Sequence, residues 1–216
     1  MLALLHTSPV HVATFDRLRD EEAPALVLRH TVDETLLARA RQDGPASVVS
    51  DVETYLRAAR EAGAAAVLCT CSTIGGIAEA ARVGLPVLRV DRPMAAAAVA
   101  IGSRIRVLAA LVDTAGPTID LIADEARAAG RVVSPSVTIV DGAWARFEAG
   151  DRDGYLALIA DEIAAITDAD VIVLAQASMA DAVQLTTVDV PVLSSPRLGF
   201  RAAWAACRPP ESTTRP

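Results

Sequence analysis

The sequence contains no lysine: all 20 of its basic residues are arginine. That absence removes chemistry. No lysine Schiff base can form, which excludes pyridoxal-phosphate enzymes and Schiff-base aldolases. The phosphate-binding loop of P-loop nucleotide hydrolases needs its lysine and is excluded as well. Aromatic residues are scarce, at 3% of 216 residues, while hydrophobic residues make up 52%. The core must therefore be built from Ala, Val, Leu and Ile. Cysteine occurs three times, as Cys69, Cys71 and Cys207. An odd count argues against a disulfide framework, and Cys69-Thr70-Cys71 has one intervening residue where redox and zinc-knuckle pairs have two. The three histidines, His6, His11 and His30, show no metal-ligand spacing with these cysteines. No metal and no cofactor is expected. No apolar run reaches the ~18–20 residues that span a bilayer, and the opening MLALLHTSPV lacks the basic start and long apolar stretch of a secretory signal. The expectation is a soluble cytoplasmic protein with no membrane partner. A net charge of −7 argues against nucleic acid as a partner, since that needs a basic face.

What is present alternates. Apolar runs at 2–6, 25–30, 64–70, 85–90, 104–112, 136–141, 169–176 and 190–195 read as strands. Helical spacing falls between them, at 52–63, 73–84, 93–103, 116–130, 153–167 and 178–185, several closing on Gly and one opening near Pro117. Strands and helices in this order predict an α/β fold with mostly parallel sheets covered by helices, whose ligands sit at the carboxyl ends of strands.

The chain also repeats itself. GLPVL (84–88) returns as DVPVL (189–193), and AAVLCTCST (65–73) returns in pattern as DVIVLAQAS (170–178). Pro191 lies 105 residues after Pro86, and Gln176 lies 105 after Cys71. LLHTSP (4–9) resembles ALVDTAGP (110–117) at an offset of about 107. Two pseudo-twofold-related α/β half-domains with a cleft between them are predicted. The first comprises 1–95 plus about 196–208, the second 96–195, and 209–216 is expected to be a disordered tail.

Four strand ends then face the cleft: His6-Thr7-Ser8, Cys71-Ser72-Thr73, Asp113-Thr114 and Gln176-Ala177-Ser178. The helix after each presents unpaired N–H groups and a positive dipole end, a setting for a small carboxylate. Cys71 stands where that field favours a thiolate, as a reactive nucleophile or a small packed residue. Cys69 reads as core and Cys207 as inert. His6 is a candidate acid or base beside Cys71, and Asp113, taken as its repeat counterpart, either assists in the other half or caps a helix. Thr7, Ser8, Ser72, Thr73, Thr114, Gln176, Ala177 and Ser178 are the candidate carboxylate-binding residues. Arg89, Arg92 and Arg197 read either as partners for a second carboxylate or as solvated surface residues.

The segments CTCSTIGG, GLPVLRVDRPM, RIRVLAALVDTAGPT, VIVLAQASMAD and VPVLSSPRLG together resemble the aspartate/glutamate/hydantoin racemase superfamily over nearly the whole chain. The resemblance implies two α/β halves around a cleft, and action on small carboxylates without cofactor or metal. It also implies a chain that is often homo-oligomeric. Racemases of that superfamily use one cysteine from each half. Cys71 matches the first, and the second falls on Gln176, an amide with no pKa suited to proton transfer near neutrality. The resemblance thus implies a racemase- or isomerase-type enzyme working through a single cysteine. The alternatives are a one-cysteine decarboxylase, a non-cysteine group such as His6 or Asp113 in place of the second thiol, and a protein that binds a small acid without turning it over.

Overall fold

Two short apolar runs set the architecture. Ala66–Cys69 (β3) and Val171–Leu174 (β7) are each four residues long and buried at every position. Strands with no solvent-facing side need a neighbour on each edge and helices on each face. The computed structural model, which describes residues 1–208, supplies both. Leu2–His6 (β1), Leu28–Val32 (β2) and Val87–Arg89 (β4) join β3 in a parallel sheet of order β2-β1-β3-β4. Arg104–Ala109 (β5), Ser134–Ile139 (β6) and Val192–Ser194 (β8) join β7 in a second parallel sheet, of order β6-β5-β7-β8. The two orders are the same order repeated, and the fold is α/β. The segment 209–216, expected to be disordered, lies outside the described residues.

Helices fill the crossovers. Val10–Glu22 (α1), Glu34–Asp43 (α2), Val49–Glu61 (α3) and Ser72–Ala80 (α4) belong to the first half, while Arg92–Ile101 (α5) carries the chain to the second. Val112–Ala128 (α6), Ala143–Glu148 (α7) and Arg152–Ala165 (α8) follow, with a 3-10 segment at Ala177–Leu185. Asp33 and Asp151 cap α2 and α8 by accepting the N–H of Thr35 and Gly154. Helices α1 and α2 were not anticipated, because their apolar positions are sparse and interrupted by charge. No helix among the described residues is long and apolar enough to cross a membrane.

The last helix, Ser195–Ala206 (α9), returns to the first half. Its Phe200 and Ala203 are fully buried with Leu2, Leu4, Phe15 and Leu68. Gly199 is what lets it dock: a Cβ there would lie 2.5 Å from the Val90 carbonyl oxygen. Helix α5 buries Met94, Ala95, Ala98 and Val99 in the second-half core.

Register shows which positions correspond. Leu5 pairs with Cys69, and Leu108 with Leu174. The Leu5 carbonyl accepts from Thr70 N–H at 3.0 Å, and the Leu108 carbonyl accepts from Ala175 N–H at 2.9 Å. Cys71 and Gln176 are therefore equivalent, as the 105-residue spacing predicts. His6 and Asp113 are not. The His6 carbonyl accepts from Asp33 N–H at 2.9 Å, and its counterpart is the Ala109 carbonyl, which accepts from Val140 N–H at 2.8 Å. Strand β5 stops at Ala109 and α6 starts at Val112, with Pro117 inside the helix. The Gly116-Pro117 signal suggested a later start. Proline in that second turn costs the helix one backbone bond, to the Asp113 carbonyl, without ending it.

His6 ties the ends of the first sheet together. It is fully buried. Its Nδ1 lies 2.8 Å from Thr70 Oγ1 and its Nε2 lies 2.8 Å from His30 Nδ1. The Thr70 hydroxyl donates to the Leu5 carbonyl at 3.2 Å, so the consistent arrangement has His6 Nδ1–H donating to Thr70 and Nε2 accepting from His30. Burial, with His30 and His11 nearby, lowers the His6 pKa to about 3, and burial lowers that of His11 to about 4.

Two outcomes follow from this packing. Gly199→Ala should destabilise the protein by roughly 1–3 kcal/mol in urea unfolding, since the backbone of Val90 must yield to the added methyl. Both histidines bind protons in the unfolded chain near pH 6.5 but stay neutral in the fold, so the unfolded state gains protons first on acidification. Stability should therefore fall from pH 6.5 towards pH 4, and His11→Asn should flatten the slope of the melting temperature in that window.

Candidate active site

At the carboxyl ends of the two sheets lies a cavity of about 90 Å³. From the first half, Thr7 and Ser8 follow β1, and Thr70, Cys71, Ser72 and Thr73 follow β3. From the second, Leu111 and Thr114 come from the start of α6, and Gln176, Ala177 and Ser178 follow β7. Leu37 and Arg41 of α2, and Trp144 and Phe147 of α7, complete the walls, with His11 at one side. Every residue expected to bind carboxylate lines this space. Ser72 reaches across the seam, its hydroxyl 3.5 Å from the Ala175 carbonyl.

Cys71 is the N-cap residue of α4, in extended conformation (φ −110°, ψ 120°), and no side chain caps that helix start. The first-turn N–H groups and the positive end of the helix therefore favour negative charge beside the thiol. Its 9% exposure faces the cavity. Cys69, two residues back, is fully buried and donates to the Cys71 carbonyl at 3.8 Å. Burial, then the neighbouring Cys71, pushes the Cys69 thiol up, which leaves it inert. Cys207 lies in the first-half core margin, far from this cavity's lining, and burial raises its pKa too.

Across from Cys71, Gln176 is pinned. Its Oε1 accepts the Ala110 N–H at 3.0 Å and its Nε2 donates to Thr114 Oγ1 at 3.2 Å. The side chain thus consumes a backbone donor at the end of β5. The halves are chemically unequal at equivalent positions: one presents a thiol, and the other an amide already engaged by Ala110 and Thr114, while the helix starts that follow both lack a side-chain cap.

The other expected residues fall differently. His6, proposed as an acid or base beside Cys71, does not line the cavity. It sits behind the floor, with both ring nitrogens engaged, and its contact with the site runs through Thr70. Asp113 is exposed outside the cavity, its carboxylate 3.6 Å from Arg41 Nε. Arg89 is buried in a two-pronged pair with Asp91, at 2.7 and 2.9 Å, and packs under Gly75 of α4. Glycine at 75 leaves room for this, because a Cβ there would lie 3.0 Å from the Arg89 Cβ and one of the two would have to give way. Arg92 bridges Glu79 and Glu125, and Arg197 pairs with Glu21 and Glu22. None of these three arginines lines the cavity.

The basic residue that does is Arg41, which sequence reasoning missed. Its guanidinium stacks over Trp144 at 5.4 Å, so a first-half helix touches the second half at the cavity rim. His11 was also passed over. Both lie on helices whose local sequence carries no motif. The nearest signal was compositional: one of the two tryptophans lies in the short helix α7 beside a loop glycine. No group of three or more His, Cys, Asp or Glu side chains is arranged for a metal ion among the described residues.

Comparison with known proteins agrees with this architecture. The family model for Asp/Glu/Hydantoin racemase matches residues 10–203. No curated protein matches the chain. Among solved structures, the aspartate racemase of Picrophilus torridus is similar at 15% identity, with a TM-score of 0.72 over 95% of this chain and 93% of that one. A liganded double mutant of arylmalonate decarboxylase, with one cysteine introduced and another replaced by serine, is 21% identical, with a TM-score of 0.64 over 100% of this chain and 95% of that one. The glutamate racemase of Thermus thermophilus, in complex with beta-chloro-D-alanine, is 17% identical, with a TM-score of 0.64 over 97% and 83%. At these identities the likeness is one of fold. With the family model matching most of its length, the chain belongs to the Asp/Glu/hydantoin racemase family.

Proposed function

We propose that this protein is a cofactor-independent enzyme that moves a proton at the α-carbon of a small carboxylate, using Cys71 alone. The observation that carries the reading is the pairing of a cavity-facing Cys71 with an amide, Gln176, held at the equivalent position of the other half. The carboxylate is received by the hydroxyls of Thr7, Ser8, Thr73 and Ser178 and the open start of α4, with Arg41 supplying the countercharge at the rim. The Cys71 thiolate takes the α-proton, and the electron pair moves into the carboxylate as an enediolate held by those donors. The same thiol returns a proton to the same face. Gln176 cannot deliver one from the opposite face, but its amide can hold a substrate oxygen. Returned to the same carbon, the proton gives exchange with retention and no net change; returned to another carbon of a substrate whose anion is delocalised further, it gives an isomerisation that needs only one face.

A decarboxylase is the second reading. The arylmalonate decarboxylase likeness over the full chain favours it, and one thiol is enough to protonate the enediolate left when CO2 departs. A protein that binds a small acid without turnover is the remaining class.

The test is incubation in deuterated water with amino acids, 2-substituted malonates and maleate, followed by nuclear magnetic resonance. Deuterium should enter at the α-carbon without inversion, and Cys71→Ala should lower that rate by about 10²–10⁴-fold while the melting temperature holds. CO2 release dependent on Cys71 would move the assignment to decarboxylation. Turnover that survives Cys71→Ala, or tight binding with no turnover of any kind, would overturn the proposal. Gln176→Cys should add the opposite face, so that inversion of configuration accompanies exchange.

A further inference from the structure

The cavity at Cys71 has a larger neighbour. Beside His11, Phe147 and Ser178 lies a second chamber of about 370 Å³, roughly four times its volume. Ser8, His11, Phe147, Ala177 and Ser178 line both spaces, so the two adjoin along these side chains. The chamber lies between the first turns of α1 and the α7–α8 connection with the 3-10 segment. Its partition is ordered: the Ser178 hydroxyl lies 2.8 Å from that of Tyr155, whose ring is buried.

The two chambers differ in charge. Arg41 is the one ionic side chain lining the first, which no carboxylate side chain lines. The second is lined by the carboxylates of Glu34 and Asp181 against a single guanidinium, Arg152, which is already paired with Asp181. Arg17 also contacts Asp181, at 3.5 Å, from outside the lining. His11 is neutral near pH 7, since burial lowers its pKa to about 4. An anion entering the second chamber therefore meets the carboxylates of Glu34 and Asp181, and guanidiniums that Asp181 already engages. Phe147, Tyr155, Pro9, Val10 and Ala180 give it an apolar surface.

We infer that the substrate is a monocarboxylate with a large uncharged, partly apolar substituent, whose acid group occupies the Cys71 cavity and whose substituent occupies the second chamber. A second carboxylate is selected against there by Glu34 and by the engagement of Arg17 and Arg152 with Asp181. The inference rests on the reading of the Cys71 cavity as a carboxylate site.

The test reads protection of Cys71 from alkylation by iodoacetamide, followed at the Cys71 peptide by mass spectrometry. The probes are propanoate, glutarate and 4-phenylbutanoate. Propanoate should protect weakly, and 4-phenylbutanoate should protect at about tenfold lower concentration or less. Glutarate should gain nothing over propanoate. Ala180→Phe, and independently Thr14→Phe at an α1 residue that also lines the chamber, should fill it and bring 4-phenylbutanoate back to the propanoate level while leaving propanoate unchanged. Protection by propanoate with no gain from the phenyl group, or with glutarate equal to 4-phenylbutanoate, overturns the two-chamber inference alone. So does a gain that survives both substitutions. If propanoate itself gives no protection, the carboxylate reading of the Cys71 cavity falls, and this inference falls with it.

Discussion

Parallel pairing at the centre of each sheet is the constraint on which the rest depends. Strands β3 and β7 are dry on both faces, and their register against β1 and β5 is held by evenly spaced backbone bonds. A slip of one residue would turn every side chain to the opposite face, misfit two packed cores and carry Cys71 and Gln176 away from the seam. With register held, the residue two places past each central strand emerges at the seam between the halves. In one half that residue is Cys71, in the other Gln176. The chemistry available to the cavity is therefore decided by strand packing several residues away.

The symmetry of the scaffold makes the asymmetry of the site meaningful. Equivalent strand ends offer equivalent backbone donors. In the second half the Ala110 N–H is taken by Gln176, and the Gln176 amide is in turn steadied by Thr114. In the first half the matching position carries the Cys71 thiol, and the helix starts that follow Cys71 and Gln176 both lack a side-chain cap. Behind it, the buried Arg89–Asp91 pair and the His6–Thr70 contact brace the two strand ends that frame the thiol. Buried polar groups of this kind are tolerated because each has a partner, and their directional bonds limit how far the floor can shift. One side of the cavity thus presents a thiol, while the other presents a fixed, neutral amide.

Much of this was legible in the residues. The repeated motifs and the common 105-residue spacing located Cys71 and Gln176 correctly, because both follow short buried strands of equal length. The match of His6 with Asp113 failed for a local reason: LLHTSP spans the end of β1, whereas DTAGP lies inside α6, so the similarity lands four positions past Ala109, the counterpart of His6. His6 was also read as facing substrate, whereas a side chain at a strand terminus can turn inward when a threonine and a second histidine offer partners. Arg41 and His11 left no trace, since a helix face brings them to the cavity from segments remote in sequence. Long-range placement of that kind is written in tertiary packing alone.

The return of α9 to the first-half core means that the polypeptide crosses between the halves twice, once through α5 and once through α9. Two tethers packed against each other resist the swing that a single linker would permit. Access to the thiol then falls to small parts at the lip of the cleft, where the Arg41 guanidinium rests on the Trp144 indole. Rotation of exposed side chains is much faster than domain motion, so a rim closed by one such stack sets a lower barrier than a hinge between the halves would.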